Sequence, residues 1–130
     1  MPVRREALLW LEEARYDLED AELALEAGRW SRVTFFAHQA VEKALKALWV
    51  HVRRAPPPRT HILPELLPEG VDVGVSVEEL YWLSKYYTVS RYPDAAGGPP
   101  SRLIVEWEAR RAAEVARRVV EHVERLLRDP

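Results

Sequence analysis

The chain predicts an all-α fold, an antiparallel up-and-down four-helix bundle. Three observations carry this. Apolar residues step by four and three through the long segments, the mark of a stripe along one helix face. Glycine and proline interrupt that stepping at a few sharp places, and strand alternation is missing. At 130 residues the chain makes one domain of common size, 1–130, long enough to bury a core without staples.

The first helix is expected from about Arg4 to Ala27. Ala7, Leu11, Ala14, Leu18, Ala21 and Leu25 form its inner stripe, and Gly28 stops it. A very short turn leads to helix two, with Ser31 as a candidate cap and an end near Arg53 or Arg54. So short a connection favours antiparallel packing. Pro56-Pro57-Pro58 then breaks the helix and stiffens the chain. The stretch from Arg59 to Gly74 reads as a loop with one helical turn near Pro64–Leu67. Val71-Asp72-Val73-Gly74-Val75 alternates, but it is too short and glycine-containing for a strand. Ser76 and Glu79 make a capping box for helix three, Val77 to about Val89, with Leu80, Leu83 and Tyr87 inward. Pro93 and Gly97-Gly98-Pro99-Pro100 force a second loop. Helix four starts near Ser101 as N-cap and points Val105, Ala109, Ala112, Ala116, Val119, Val123 and Leu126 inward. Its outer face pairs Glu114 with Arg117 and Arg118.

Composition excludes several classes of function. With no cysteine there is no disulfide framework, thiolate metal site or cysteine nucleophile. Four scattered histidines give no metal-ligand spacing, and no metal or cofactor is expected. Gly97-Gly98 lacks the Lys-Ser/Thr tail of a phosphate loop. The opening Met1-Pro2-Val3-Arg4-Arg5-Glu6 lacks an apolar export signal, and no run approaches a membrane span. A soluble, cytoplasmic protein with no membrane partner is expected. A net charge of −2 argues against avid, nonspecific binding to a nucleic-acid backbone but allows a local basic pocket.

Candidate chemistry gathers on helix two. In Phe36-Ala37-His38-Gln39-Ala40-Val41-Glu42-Lys43-Ala44-Leu45-Lys46, Lys43 lies about 40° to one side of Gln39 and Lys46 about 20° to the other. Gln39, Lys43 and Lys46 thus form one polar stripe suited to phosphate, although both lysines could equally be solvated beside Glu42. His38 sits at the edge of the apolar surface, where a hydrogen-bonded packing role is the plainer reading. After helix three comes Ser90-Arg91-Tyr92-Pro93-Asp94. Arg91 suits bidentate phosphate recognition, Tyr92 could stack on a base, and Asp94 could orient Arg91. A structural corner is the alternative, with Arg91 tied to Glu42. His61 follows the proline-stiffened loop. Either Thr60 caps a short helix while the imidazole bonds a backbone carbonyl, or His61 stands beside a cation and acts in catalysis. Most aromatics read as core or interface, with a base-stacking site at Tyr86–Tyr87 as the other option.

The run Gln39 to Leu48, then Thr60-His61-Ile62-Leu63, then Arg91-Tyr92-Pro93-Asp94 resembles the HEPN family (higher eukaryotes and prokaryotes nucleotide-binding domain). The likeness extends from about Trp10 to Leu126. It implies a small helical domain that forms a homodimer through bundle helices and binds nucleotide or RNA. It also implies work beside a small nucleotidyltransferase, in a toxin–antitoxin-like pair. Many HEPN proteins are metal-independent ribonucleases with an Arg, four to six residues, then a His. The Arg supports transition-state charge, and the His is general acid or base. This chain departs from that pattern. The first His after Arg91 is His122, and Arg54 and His61, though suitably spaced, enclose three prolines and precede helix three. Three functions therefore stand side by side. The first is phosphate binding by Gln39, Lys43, Lys46, Arg91, Tyr92 and Asp94. The second is a ribonuclease toxin using His61 with Arg91 or Arg54. The third is a structural, dimerising adaptor.

Overall fold

The computed structural model describes residues 4–128, so Met1–Val3 of the opening segment lie outside the described residues. Three long helices form the frame: α1 (Arg5–Glu26), α2 (Trp30–Arg53) and α7 (Glu106–Arg128). Between α2 and α7 lie a 3-10 turn (Leu63–Leu66), α3 (Val77–Ser84) and three single-turn helices: α4 (Tyr86–Val89), α5 (Pro93–Ala96) and α6 (Pro100–Leu103). No strand occurs among the described residues.

Side-chain pairing gives the directions. Lys43 of α2 meets Asp17 of α1, and Lys46 meets Trp10, so the first two helices are antiparallel. Arg15 meets Glu124, whereas Ala24 packs with Ala109 and Ala113, so α7 also opposes α1. Small residues line these seams: Ala7 and Ala14 on α1, Ala37, Ala40 and Ala44 on α2, and Ala112 and Ala116 on α7. Little side-chain volume at a seam lets helix axes approach closely. Leu45, Leu48, Leu80, Leu83 and Val119 fill the centre.

The helix ends differ from expectation in three places. Helix three does not run unbroken to Val89. The Ser84 hydroxyl donates to the Leu80 carbonyl at 2.8 Å and accepts the Leu63 N–H at 2.9 Å. Such back-bonding bends a helix, and the chain turns at Lys85 before α4 resumes. The turn shifts the phase, so Tyr86 rather than Tyr87 is fully buried. The final helix starts at Glu106, not near Ser101, because Glu108 accepts the Val105 N–H at 2.9 Å. The other Glu108 oxygen accepts from the Tyr86 hydroxyl at 2.5 Å, and burial then that bond push the Tyr86 phenol well above its usual range. Ser101 lies within α6, and Val105 and Leu126 are not buried, whereas Leu127 is. Ser31 lies inside α2, whose N-cap is Arg29. The Ser76–Glu79 capping box forms as expected. So does the turn at Gly28, whose φ of 70° favours glycine.

Candidate functional site

Helix α2 carries the polar stripe, but the tertiary structure divides it. Lys43 turns toward α1, where its ammonium lies 2.8 Å from Asp17. Burial pushes the Asp17 carboxyl above its usual range, and Lys43 pulls it back only in part. Lys46 donates to Glu42 at 3.1 Å and stands 5.0 Å from the Trp10 ring centre. Both lysines are therefore compensated. Gln39 meets neither of these partners; its carbonyl oxygen accepts from Arg91 at 3.1 Å.

Glu42 is the hub of the inner half. The residue is nearly buried, at 6% exposure, yet both carboxylate oxygens are occupied: one by Lys46, the other by His61 Nδ1 at 2.7 Å. Burial opposes ionisation, but the bonds from His61 and Lys46 outweigh it and hold the Glu42 carboxyl below its usual range. An ionised Glu42 only accepts, so Nδ1 of His61 carries the proton. In neutral His61 that leaves a lone pair on Nε2, on an imidazole about half exposed. The His61 main chain is pinned as well. Its carbonyl accepts the Nε2–H of His38 at 3.2 Å. His38 is 1% exposed, and burial foremost lowers its pKa to about 4, so it is neutral at pH 7. Its Nδ1 has no hydrogen-bond partner among the described residues and lies 4.0 Å from Glu42.

Tyr87 joins this hub to Arg91. The His61 ring stacks on Tyr87 with centres 3.6 Å apart and planes 12° from parallel. The Arg91 guanidinium carbon lies 4.2 Å from the same ring centre and 4.6 Å from that of Phe35. Two groups this near one ring centre cannot share a face, since stacked carbon atoms need about 3.5 Å each. Imidazole and guanidinium therefore sandwich Tyr87. Next to Arg91, the Ser90 hydroxyl meets that of Thr34 on α2 at 2.6 Å in the interior, which pins the chain where it leaves α4. Arg91 forms no ion pair among the described residues.

Several expectations change here. Arg91 bonds Gln39, not Glu42. The His61 ring bonds a carboxylate rather than a carbonyl. Thr60 caps no helix; its hydroxyl donates to Glu65 at 2.6 Å and accepts from the Ile62 N–H. Tyr92 and Asp94 are exposed around the start of α5, and Asp94 makes no ion pair with Arg91 among the described residues. The fold thus gathers Gln39, Lys46, His61 and Arg91, places Lys43 at the α1 seam, and leaves Tyr92 and Asp94 on the next turn. Sequence reasoning missed Glu42 as the hub and Tyr87 as the spacer. The signals were present: Glu42 lies four residues after His38 and four before Lys46, and Tyr87 four before Arg91. No cluster of three potential metal ligands occurs among the described residues, and no helix there is long and apolar enough to cross a membrane.

Comparison with known proteins places the fold. TT1696 of Thermus thermophilus is 38% identical, with a TM-score of 0.80 over 94% of this chain and 98% of that one. ST0689, an archaeal HEPN homologue, is 28% identical, with a TM-score of 0.78 over 95% of this chain and 99% of that one. No curated protein matches the sequence. The HEPN domain family matches residues 7–126, which span the Glu42 hub, Arg91 and nearly all of α1 and α7, and the chain belongs to that family.

Proposed function

We propose that the Arg91 corner binds the phosphate of a nucleotide or of RNA. The observation that carries this reading is a planar cation with no carboxylate. Arg91 is clamped between Phe35 and Tyr87 and uses one bond on Gln39. A guanidinium has five N–H donors in one plane, so four have no protein acceptor among the described residues. The two aromatic rings hold the guanidinium in place, and its remaining donors suit bidentate contact with a phosphate. Lys46 offsets the charge of the single Glu42. Exposed Tyr92, one residue on, is available to stack on a base.

Calorimetric titration with ATP, GTP and a short RNA tests the reading. Saturable binding that disappears in Arg91→Ala, and is not restored by Arg91→Lys, is the expected result. Silence with all three ligands, together with a lowered melting temperature for Arg91→Ala, would instead make Arg91 a structural brace in an adaptor.

A second reading has its own observation. Glu42 orients His61 so that Nε2 is free to take a proton, and Arg91 stands across one aromatic ring. That set has the parts for 2′-hydroxyl attack on an adjacent phosphodiester: a base, an orienting carboxylate and a cation for the developing charge. Metal-free RNA cleavage lost in His61→Ala but kept in Lys43→Ala would support a ribonuclease. Cleavage unchanged in His61→Ala would remove it. Family resemblance supports the setting for either reading: a cytoplasmic homodimer acting beside a small nucleotidyltransferase.

A further inference from the structure

Helix α1 turns an unusual face away from the bundle. Leu9, Tyr16 and Leu23 recur at seven-residue steps, are 49%, 63% and 62% exposed, and lie opposite the buried Leu11 and the half-buried Leu18. Seven residues are close to two helical turns, so these side chains form one straight row. Two acidic rows of the same period bracket it. Glu6, Glu13 and Asp20 run along one side, and Glu12, Glu19 and Glu26 along the other. None of these six carboxylates forms an ion pair among the described residues, whereas Asp17 and Arg15 on the same helix do. Shallow open grooves lie beside Tyr16 and Leu23, walled by Glu12, Glu19, Glu22 and Glu26 and by Arg15, whose charge Glu124 takes up.

The charge says what could cover this row. Between Arg5 and Glu26 there are eight acidic residues and two arginines, so α1 alone is more negative than the −2 of the whole chain. One of those arginines is taken up by Glu124 on α7. Nucleic acid and anionic lipid are repelled by such a face. A second copy is opposed as well. Two α1 helices packed antiparallel about a two-fold axis would set Tyr16 against Tyr16 and Leu9 against Leu23. Both seams would then carry acid facing acid, which coiled-coil flanks avoid.

We infer that the outer face of α1 is a docking site for a partner protein's amphipathic helix, one with an apolar side chain every seven residues and Lys or Arg along both flanks. Apolar contact supplies the attraction, and the two acidic rows set the partner's register and exclude acidic competitors. The surface lies on α1 and uses neither Arg91 nor Gln39, so it functions independently of phosphate binding at the Arg91 corner.

A labelled three-heptad peptide tests this, with Leu at its seam positions, Lys at both flanks and Ala and Gln elsewhere. A scramble of the same composition serves as control, and fluorescence anisotropy reads the full chain. The seam peptide should bind saturably and about tenfold tighter than the scramble, which matches it in charge but not in pattern. Tyr16→Ala with Leu23→Ala should weaken it about tenfold, and so should Glu13→Gln with Glu19→Gln. All four positions lie on the outer face, and an unchanged circular dichroism spectrum verifies the fold. Equal binding of seam and scrambled peptides would overturn the inference. So would sedimentation showing a dimer that separates in Tyr16→Ser with Leu23→Ser, because a second copy would then be the occupant.

Discussion

Two carboxylate-centred networks, one around Glu42 and one around Glu114, make similar bonds under opposite conditions. Glu114 accepts from Arg117 at 2.6 Å and Arg118 at 2.9 Å, and Arg117 also reaches Glu121 at 3.0 Å. Its bonds from Arg117 and Arg118 hold the Glu114 carboxyl below its usual range. Yet every member is on one helix and largely in water, so water replaces each bond when it breaks. Glu42 accepts two bonds of similar length, but it is nearly buried and one of its partners, His61, ties α2 to the loop that carries it. His61 then passes the constraint through Tyr87 to Arg91. Bond length does not separate the two networks, and bond number favours the exposed one; burial and the distance in sequence that a bond closes set Glu42 apart.

Acid should open the sharpest gap between them. His38 takes up its proton near pH 6.5 when unfolded but only near pH 4 when folded. The unfolded chain therefore binds more protons between those values, and stability falls as pH drops from about 6.5 to about 4. At 1.36 kcal/mol per pH unit this amounts to about 3 kcal/mol. Glu42, with its depressed carboxyl, adds a loss at lower pH, as pH falls below its ordinary value. Urea midpoints measured from pH 7 to pH 4 should show the decline, and His38→Gln should flatten the upper part. A flat profile in the parent protein would contradict the assignment of a buried, neutral His38.

Next in size is Glu42→Gln. The amide keeps the shape but removes the charge that holds Lys46 and His61, at a cost of about 2 kcal/mol in urea unfolding. A loss no larger than that of an exposed pair would erase the contrast drawn above. Ser90→Ala sharpens a narrower point. It removes the buried hydroxyl pair with Thr34 and should cost about 1 kcal/mol, with a parallel weakening of nucleotide affinity as Arg91 loses its anchor. Unchanged affinity with reduced stability would separate the brace from the site. Smallest is Arg117→Ala, which breaks three bonds of the exposed ladder and should leave the urea midpoint almost unchanged, because water replaces each bond.

Much of the frame is legible in the residues. The four-three stepping places Ala7, Leu11 and Ala14 of α1 and Ala112, Ala116 and Val119 of α7 in the core, where the structure has them. Such a pattern survives folding because it is one helix's own geometry. The candidate site was legible only in part. Gln39, Lys46, His61 and Arg91 stand out in the sequence and the fold brings them together, but their pairings could not be read there. Arg91 bonds Gln39 rather than Glu42, and Lys43 left the group because Asp17 of α1 competes for it at 2.8 Å. A helical wheel ranks angles on one helix and is silent on which neighbouring helix supplies the counter-charge.

Local rules therefore determined where this chain is helical, which stripes are apolar, that Ser76 and Glu79 cap a helix, and that prolines and glycines separate α2 from α7. Each depends on residues within about one turn of each other, so no distant partner can change the outcome much. Tertiary contact decided the rest: the turn at Lys85, held by the bond of Ser84 to Leu63; the late start of α7; the burial of Tyr86 instead of Tyr87; and the path from Glu42 through His61 and Tyr87 to Arg91. Apart from the local cap of α7 and the contact of Tyr87 with Arg91, those contacts join residues at least 19 positions apart. Their energies depend on burial, which exists only once the helices have packed.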